Sequence, residues 1–230
     1  MSKNKPDTIL YGIFGSIIVI CLIFILKDIY FYKSAEKEYD ELNNDFVCDE
    51  ETPGRIKTTV VQDNPGSVSD ELYFDKLKKI NPDLIGILSV PALDLTYPVV
   101  QGDDNIKYLS YTFEGKKNPA GCLFVDYEND SSFTDDNTFI YGHNMKNGSM
   151  FGCLKKMTGE DFDRENTKAY ISTGDKTICY KLEKTEVVNI NEYKAPDEAE
   201  GLLTLYTCWG NDKNRRLLVT FSKEEEKMAI

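Results

Sequence analysis

The sequence predicts a mainly β protein with one helix at its N-terminus that can cross a membrane. Residues 8–26 contain no charged residue. Beyond residue 83, eight short apolar or alternating runs are separated by Gly, Pro, Asn and Asp, which is the pattern of strands joined by turns. Apolar residues make up 41 % of the 230 residues, so the chain can bury a core of ordinary size.

The uncharged segment 8–26 is long enough to cross a bilayer as a helix. At 1.5 Å per residue it spans about 28 Å, close to the ~30 Å of a hydrocarbon core. A cleaved signal peptide is the alternative, but the residues after Leu26 read KDIYFYKSAEKEY, which is a poor cleavage site. We therefore expect an uncleaved anchor that contacts the membrane through residues 8–26. Lysines flank the segment on both sides, so charge alone does not orient it.

The rest of the chain is predicted to form a stalk and one folded domain. Residues 34–46 have the polar composition of a helix that leaves the membrane, and residues 47–68 carry Pro, Gly and charges without a period, which indicates a linker. Ser69 can cap a helix that continues to Ile80, where Asn-Pro-Asp ends it. The predicted divisions are a tip and membrane anchor over 1–30, a helical stalk and linker over 31–68, and a domain over 69–230.

Eight predicted strands follow that helix within about 150 residues, a density that fits a closed barrel or a sandwich. They are residues 84–90, 93–100, 121–127, 137–143, 168–174, 176–190, 201–208 and 215–221.

Composition excludes several classes of function. The formal net charge of −12 argues against a nucleic-acid partner, which requires a basic face. The chain has a single histidine, and its six cysteines contain no Cys-x-x-Cys pair, so neither a zinc nor an iron–sulfur site is predicted. We expect no metal and no organic cofactor.

Candidate chemistry lies at the ends of predicted strands, where functional groups are commonly held by a rigid scaffold. His143 ends the run TFIYGH, and Cys208 ends the run LLTLYTC. Side chains alternate along a strand, so Cys208 lies on the face opposite to Leu203 and Leu205. A lone histidine is more often structural than catalytic, and only its position at a strand end favours a chemical role.

The same alternation distinguishes two adjacent arginines. In the last strand Leu217 and Val219 belong to the apolar face, so Arg216 points outward. Arg215 has the inward position, but at the end of the strand it can turn into solvent. If the last two strands are neighbours, Arg216 meets Cys208 on the outer face, and a thiol nucleophile then lies beside a cation that can hold an oxyanion. The spacing alone leaves open a second interpretation, in which the cysteine is buried and both arginines are solvated.

At these motifs the sequence resembles the sortases, the cysteine transpeptidases of Gram-positive bacteria. TLYTC, a downstream Arg216 before LLV, and YGHNM upstream carry the resemblance. The segments INPDLIGILSV, YPVVQGDDNIKYL, GCLFVDYEND and YGHNMKNGSMF are most similar to class B sortases. The resemblance covers residues 69–222. It implies an eight-stranded sortase-type β-barrel on a single-pass anchor, with the catalytic domain outside the cell membrane.

The resemblance also implies roles for individual residues. Cys208 corresponds to the nucleophile, His143 to the general acid and base, and Arg216 to the residue that stabilises the oxyanion. Residues expected to contact or line the substrate groove are Thr207, Asn105, Leu109 and Trp209.

The implied reaction is cleavage of surface proteins after the Thr of a C-terminal sorting motif, of the Pro-x-Thr-Gly or Pro-x-Thr-Asn type. A thioacyl-enzyme then transfers to an amine of a peptidoglycan precursor. A pilin lysine as the acceptor, a hydrolytic cysteine protease and a non-catalytic surface module remain alternatives. Class B members usually carry a long helical insertion before the cysteine strand, whereas only residues 191–200 stand there, so substrate specificity does not carry over.

Overall fold

The computed structural model describes residues 5–44, 47–48, 56–57, 70–193, 200–210 and 212–228. Most of the predicted linker and the predicted Ser69 cap lie outside these residues. The elements are α1 (Lys5–Asn44), β1 (Val47–Cys48), β2 (Ile56–Lys57), α2 (Asp70–Ile80), β3 (Leu84–Val90), β4 (Leu95–Val100), β5 (Leu123–Val125), β6 (Asn137–Tyr141), β7 (Lys168–Ser172), β8 (Lys176–Asn189), β9 (Leu202–Cys208) and β10 (Arg215–Met228).

Helix α1 joins the apolar segment to the polar residues after it without interruption. Pro6 lies in the first turn of the helix, where its missing N–H removes no helical hydrogen bond. After Gly15 the helix contains no further Gly or Pro that would interrupt it. The first half exposes large apolar side chains, and the helix is long and apolar enough to cross a membrane. The last turns differ, because Ala35, Tyr39 and Leu42 are buried at helical spacing. The helix therefore has an exposed apolar half and a half that packs on the folded domain.

Strands β3–β10 form a closed barrel in the order β10-β8-β7-β3-β4-β5-β6-β9, with β9 paired to β10. The pairs β4–β5 and β6–β9 are parallel, and the others are antiparallel. The predicted eight-stranded barrel is thereby confirmed, and the sandwich is excluded. Closure leaves every barrel strand with two neighbours, so the barrel itself has no edge strand.

The interior of the barrel is filled by the apolar side chains on the inward face of each strand. Along β9 and β10, Leu203, Leu205, Leu217, Val219 and Phe221 are almost fully buried. These are the residues that alternation assigned to the apolar face. Helix α2 covers part of the barrel with Tyr73 and Leu77, whereas Ile80 at its end is about half exposed.

Strand β10 is longer than predicted. It continues from Ser222 to Met228 along β8, although this stretch is strongly charged and gives no apolar alternation. Opposite charges across strands compensate, as in the ion pairs of Lys176 with Glu226 at 3.2 Å and of Lys168 with Glu224 at 2.5 Å. A strand with solvated side chains carries no hydrophobic pattern, which is why the sequence did not reveal it.

We expect Leu205→Ala to lower the free energy of unfolding by about 2–5 kcal/mol, because it leaves a cavity at a fully buried position between β6 and β10. Ile106→Ala, at a residue that is 72 % exposed, should change it by no more than about 0.5 kcal/mol. Urea unfolding of both variants measures the difference. Equal losses would show that β9 does not pack as described.

Candidate active site

Strand β9 places its last residue between the ends of two neighbouring strands. It runs parallel to β6 on one side and antiparallel to β10 on the other. The end of β6 and the start of β10 therefore both lie beside Cys208. His143 follows β6 by two residues, and Arg216 is the second residue of β10.

Cys208 and Arg216 are directly opposite each other in the β9–β10 ladder. The next pair outward, Trp209 and Arg215, is joined by a hydrogen bond from the Trp209 N–H to the Arg215 carbonyl at 3.0 Å. Because the two kinds of pair alternate in antiparallel sheets, Cys208 and Arg216 form a non-hydrogen-bonded pair, with Cα atoms about 4.5 Å apart and side chains close together. Cys208 is exposed, as the alternation predicts.

His143 lies on the same face through the parallel pairing of β6 and β9. Tyr141 and Tyr206 are partners in that ladder, and His143 and Cys208 each follow two residues later. Two hydrogen bonds hold the strand ends together beyond the ladder. The Thr207 hydroxyl donates to the Gly142 carbonyl at 2.7 Å, and the Asn144 side-chain amide donates to the Cys208 carbonyl at 2.8 Å.

The hydrogen bond of His143 fixes the role of each ring nitrogen. Its Nε2 lies 2.9 Å from the Leu109 carbonyl oxygen. A carbonyl can only accept, so Nε2 carries the hydrogen, and in the neutral ring Nδ1 holds the free lone pair. Nδ1 is therefore the atom that can take up and release a proton.

The Arg216 guanidinium is anchored to the turn that precedes β10. Its Nη1 donates to the carbonyls of Lys213 at 2.7 Å and of Arg215 at 3.0 Å. Its Cζ lies 5.8 Å from the centroid of the Tyr206 ring, within the range of a cation–π contact. A guanidinium carries five N–H donors, more than the two bonds from Nη1 use, so Arg216 can also bind an anion.

Two tyrosines, Tyr206 and Tyr141, pack next to the Arg216 guanidinium. The rings of Tyr206 and Tyr141 meet edge to face at 5.0 Å, and the Tyr141 hydroxyl donates to Asp126 at 2.6 Å. Burial, followed by the Asp126 carboxylate, raises the pKa of Tyr141. Burial also raises the pKa of Tyr206, against the opposing effect of the Arg216 charge. Both phenols therefore stay neutral at physiological pH.

Three thiols of the barrel domain contrast with Cys208. Cys122, Cys153 and Cys179 are buried. Burial raises the pKa of Cys122 to about 12 and that of Cys153 to about 11, and it also raises the pKa of Cys179. Within the part of the chain that the structure describes, no cluster of three or more His, Cys, Asp or Glu side chains could hold a metal ion.

Comparison with known proteins agrees with this arrangement. A sequence profile of the sortase domain matches residues 88–224, which is more than half of the chain. The chain belongs to the sortase family. A sortase B of Listeria monocytogenes is 37 % identical over 131 residues, covering 57 % of this chain and 52 % of the relative, so the match spans about half the length of that protein. A sortase B of Staphylococcus aureus is 35 % identical over 89 residues, covering 39 % of this chain and 36 % of that one.

Among solved structures, sortase B from Bacillus anthracis in complex with AAEK1 is 26 % identical, with a TM-score of 0.63. It covers 85 % of this chain and 100 % of the compared chain. These three proteins are all class B sortases, so the fold and the relatives agree with the resemblance read from the sequence.

Four of the residues that the sortase resemblance selected lie together in the structure. They are Cys208, Arg216, His143 and Leu109. Leu109 is 39 % exposed, and its carbonyl binds the His143 ring. Asn105 is half-buried, and its side-chain oxygen accepts the Tyr127 N–H at 3.1 Å, so that oxygen is already engaged.

Two other predicted groove residues, Thr207 and Trp209, are in contact with the core. Thr207 is 2 % exposed, and its hydroxyl is used by Gly142, so its side chain supports the end of β6 rather than an open groove. Trp209 is partly buried and packs against the core cluster. Thr207 and Trp209 follow Leu205 by two and four residues, so the alternation of side chains along a strand puts them on the same inward side as Leu205. A contact of Thr207 or Trp209 with substrate stays a prediction.

Sequence reasoning missed three residues that shape this sortase site. Tyr206 lies on the face of Cys208, one alternation step before it, and could have been found from the same pattern. Asn144 directly follows His143 in the quoted motif. Gly142 precedes it, and a Cβ there would lie 2.4 Å from Leu123 and 2.6 Å from the Phe151 ring, so only glycine fits without displacing the core.

Alkylation with iodoacetamide at pH 8 should modify Cys208 before Cys122, Cys153 and Cys179. The thiolate is the reactive form, and a raised pKa keeps the three buried thiols protonated at this pH. Peptide mapping by mass spectrometry on the folded, full-length protein gives the order of modification. Faster labelling of any of the buried three would contradict their described burial.

Proposed function

We propose that this protein is a membrane-anchored cysteine transpeptidase that cleaves surface proteins after the Thr of a C-terminal sorting motif. The acyl group then passes to an amine of a cell-wall precursor. The observation that carries the proposal is the shared outer face of Cys208, His143 and Arg216 at the ends of three adjacent strands. Membership of the sortase family supports the same reaction class.

In the first step the Cys208 thiolate attacks the carbonyl carbon of the threonine. The carbonyl π electrons move to oxygen, and the Arg216 guanidinium, held by the Lys213 and Arg215 carbonyls, stabilises the resulting oxyanion. Protonated His143 gives its Nδ1 proton to the leaving amine as the C–N bond breaks. A thioester to Cys208 remains, and the C-terminal part of the substrate leaves.

In the second step an acceptor amine attacks the thioester. Neutral His143 accepts a proton from the amine at Nδ1, because Nε2–H stays bonded to the Leu109 carbonyl. The C–S bond breaks, and Cys208 leaves as a thiolate. The new amide bond joins the surface protein to its acceptor, and the enzyme returns to its starting protonation state.

Helix α1 supports a location at the cell membrane. Its exposed apolar half can insert into a bilayer, and its polar half is continuous with that segment and packs on the barrel. The distance from Leu26 to Tyr39 along the helix is about 20 Å at 1.5 Å per residue. The active site is thus held near the membrane surface, where a lipid-linked cell-wall precursor presents its amine.

Arg216→Ala should lower kcat by about 10²- to 10³-fold, as loss of an oxyanion donor does. Arg216→Lys should restore little of the rate, because lysine lacks the planar fork that the turn carbonyls hold. Arg215→Ala is the matched control, because Arg215 contacts Arg216 and Trp209 through its backbone carbonyl, which the substitution keeps. Its kcat should stay within about twofold of the parent value. Steady-state kinetics with a fluorogenic sorting peptide measure all three. A larger defect in Arg215→Ala than in Arg216→Ala would place the register one residue off.

Transfer itself is tested with peptides of the Pro-x-Thr-Gly and Pro-x-Thr-Asn types and triglycine as the amine probe. We expect cleavage after Thr and a product in which triglycine is joined to that Thr. Cys208→Ala should form no product, and Cys179→Ala should behave like the parent because its thiol is buried away from the site. Hydrolysis products alone at saturating triglycine would indicate a protease and overturn the proposal.

A further inference from the structure

The polar half of helix α1 packs on a loop that also contacts the catalytic histidine. We define the 108–122 loop as the segment between Tyr108 and Cys122, which leaves the barrel and returns to it. Its base is closed by a hydrogen bond from the Cys122 N–H to the Tyr108 carbonyl at 3.0 Å. The helix and this loop are far apart in sequence, so their contact is purely tertiary.

Tyr39 of α1 binds both arms of the loop. Its hydroxyl donates to the Gly121 carbonyl at 2.7 Å and accepts the Phe113 N–H at 3.4 Å. The residue is 4 % exposed, and its ring packs edge to face on Tyr97 of β4 at 5.1 Å. Burial raises the pKa of Tyr39 well above its usual value, so the hydroxyl remains a donor throughout the working pH range.

Glu38 adds a buried charge to the same contact. Its side chain is 2 % exposed, accepts the Glu114 N–H at 3.0 Å and forms an ion pair with Lys116 at 3.4 Å. Asn118 of the loop donates in turn to the Phe31 carbonyl of α1 at 2.9 Å. A carboxylate buried this deeply is stable only while its partners stay in place, so the helix and the loop are fixed relative to each other.

The other side of the loop touches His143. The Leu109 carbonyl accepts the Nε2–H of the ring at 2.9 Å. Gly121 has a φ of +62°, and a Cβ there would lie 2.4 Å from the Tyr108 carbonyl oxygen and 3.3 Å from His143 Cδ2. Gly121 thus occupies the narrow space between the start of the loop and the imidazole. Its carbonyl is the group that Tyr39 holds.

We propose that Tyr39 is a positioning residue for the catalytic histidine, acting through Gly121 and the Leu109 carbonyl to hold His143 with its hydrogen on Nε2. The membrane helix is then part of the active-site architecture as well as an anchor. The catalytic meaning of this role rests on the transpeptidase proposed above. The structural claim concerns the state of one imidazole and can be measured separately.

The test uses the single histidine of the chain, which gives one set of imidazole signals in a full-length protein labelled with [15N]histidine in detergent micelles. The parent should show the Nε2–H tautomer when neutral. Tyr39→Phe, which removes only the hydroxyl, should give a mixture of tautomers and lower kcat by roughly tenfold with little change in KM, since proton transfer rather than binding is impaired.

Tyr30→Phe is the matched control, because Tyr30 lies on the same helix but is 68 % exposed. It should leave both the tautomer and kcat unchanged. Glu38→Gln weakens the same docking contact without the hydroxyl change and serves as the second variant if Tyr39→Phe does not fold. A folded Tyr39→Phe or Glu38→Gln with the parental tautomer and kcat overturns the proposal. If the parent transfers no acyl group, the transpeptidase proposal fails, and the tautomer comparison still decides the role of Tyr39.

Discussion

The register of β9 between β6 and β10 is the constraint on which the candidate site depends. Side chains alternate with a period of two, so a slip of one residue would turn Cys208 into the core and Thr207 out of it. The buried leucines of β9 prevent such a slip, because it would expose the inward face of the strand. The hydrophobic core thus fixes the position of the exposed Cys208 thiol, although that thiol is not part of the core.

Backbone groups carry much of the remaining organisation. The carbonyls of Gly142, Cys208 and Leu109 each accept a side-chain hydrogen bond that ties one strand end or loop to another. These bonds hold the side chains of Thr207, Asn144 and His143 in place without substrate. This kind of preorganisation is what electrostatic stabilisation of a developing charge requires. In the proposed reaction, one imidazole can serve both steps through Nδ1 alone, because Nε2 stays bonded to the Leu109 carbonyl.

Alternation and strand-end position were sufficient to predict the strands and the outward faces of Cys208 and Arg216, because these are local patterns. Whether the two strands are neighbours is not local, and the sequence alone left that pairing conditional. The same alternation gives Thr207 and Trp209 the inward position of Leu205, whereas the expectation that they contact the groove came from the family motif for Thr207 and from ring size for Trp209. The charged end of β10 and the docking of Tyr39 onto Gly121 had no local signal. The first depends on cross-strand ion pairs, and the second joins residues 82 positions apart.

Detection of the thioacyl-enzyme tests the central claim most directly. The full-length protein is mixed with Pro-x-Thr-Gly and Pro-x-Thr-Asn peptides without an acceptor amine, quenched in acid and measured by intact mass spectrometry. The account predicts an adduct with the mass of the peptide fragment that ends in Thr, mapped to Cys208 and released by hydroxylamine. An adduct on another residue, or cleavage of the peptide by a Cys208→Ala variant, would contradict it.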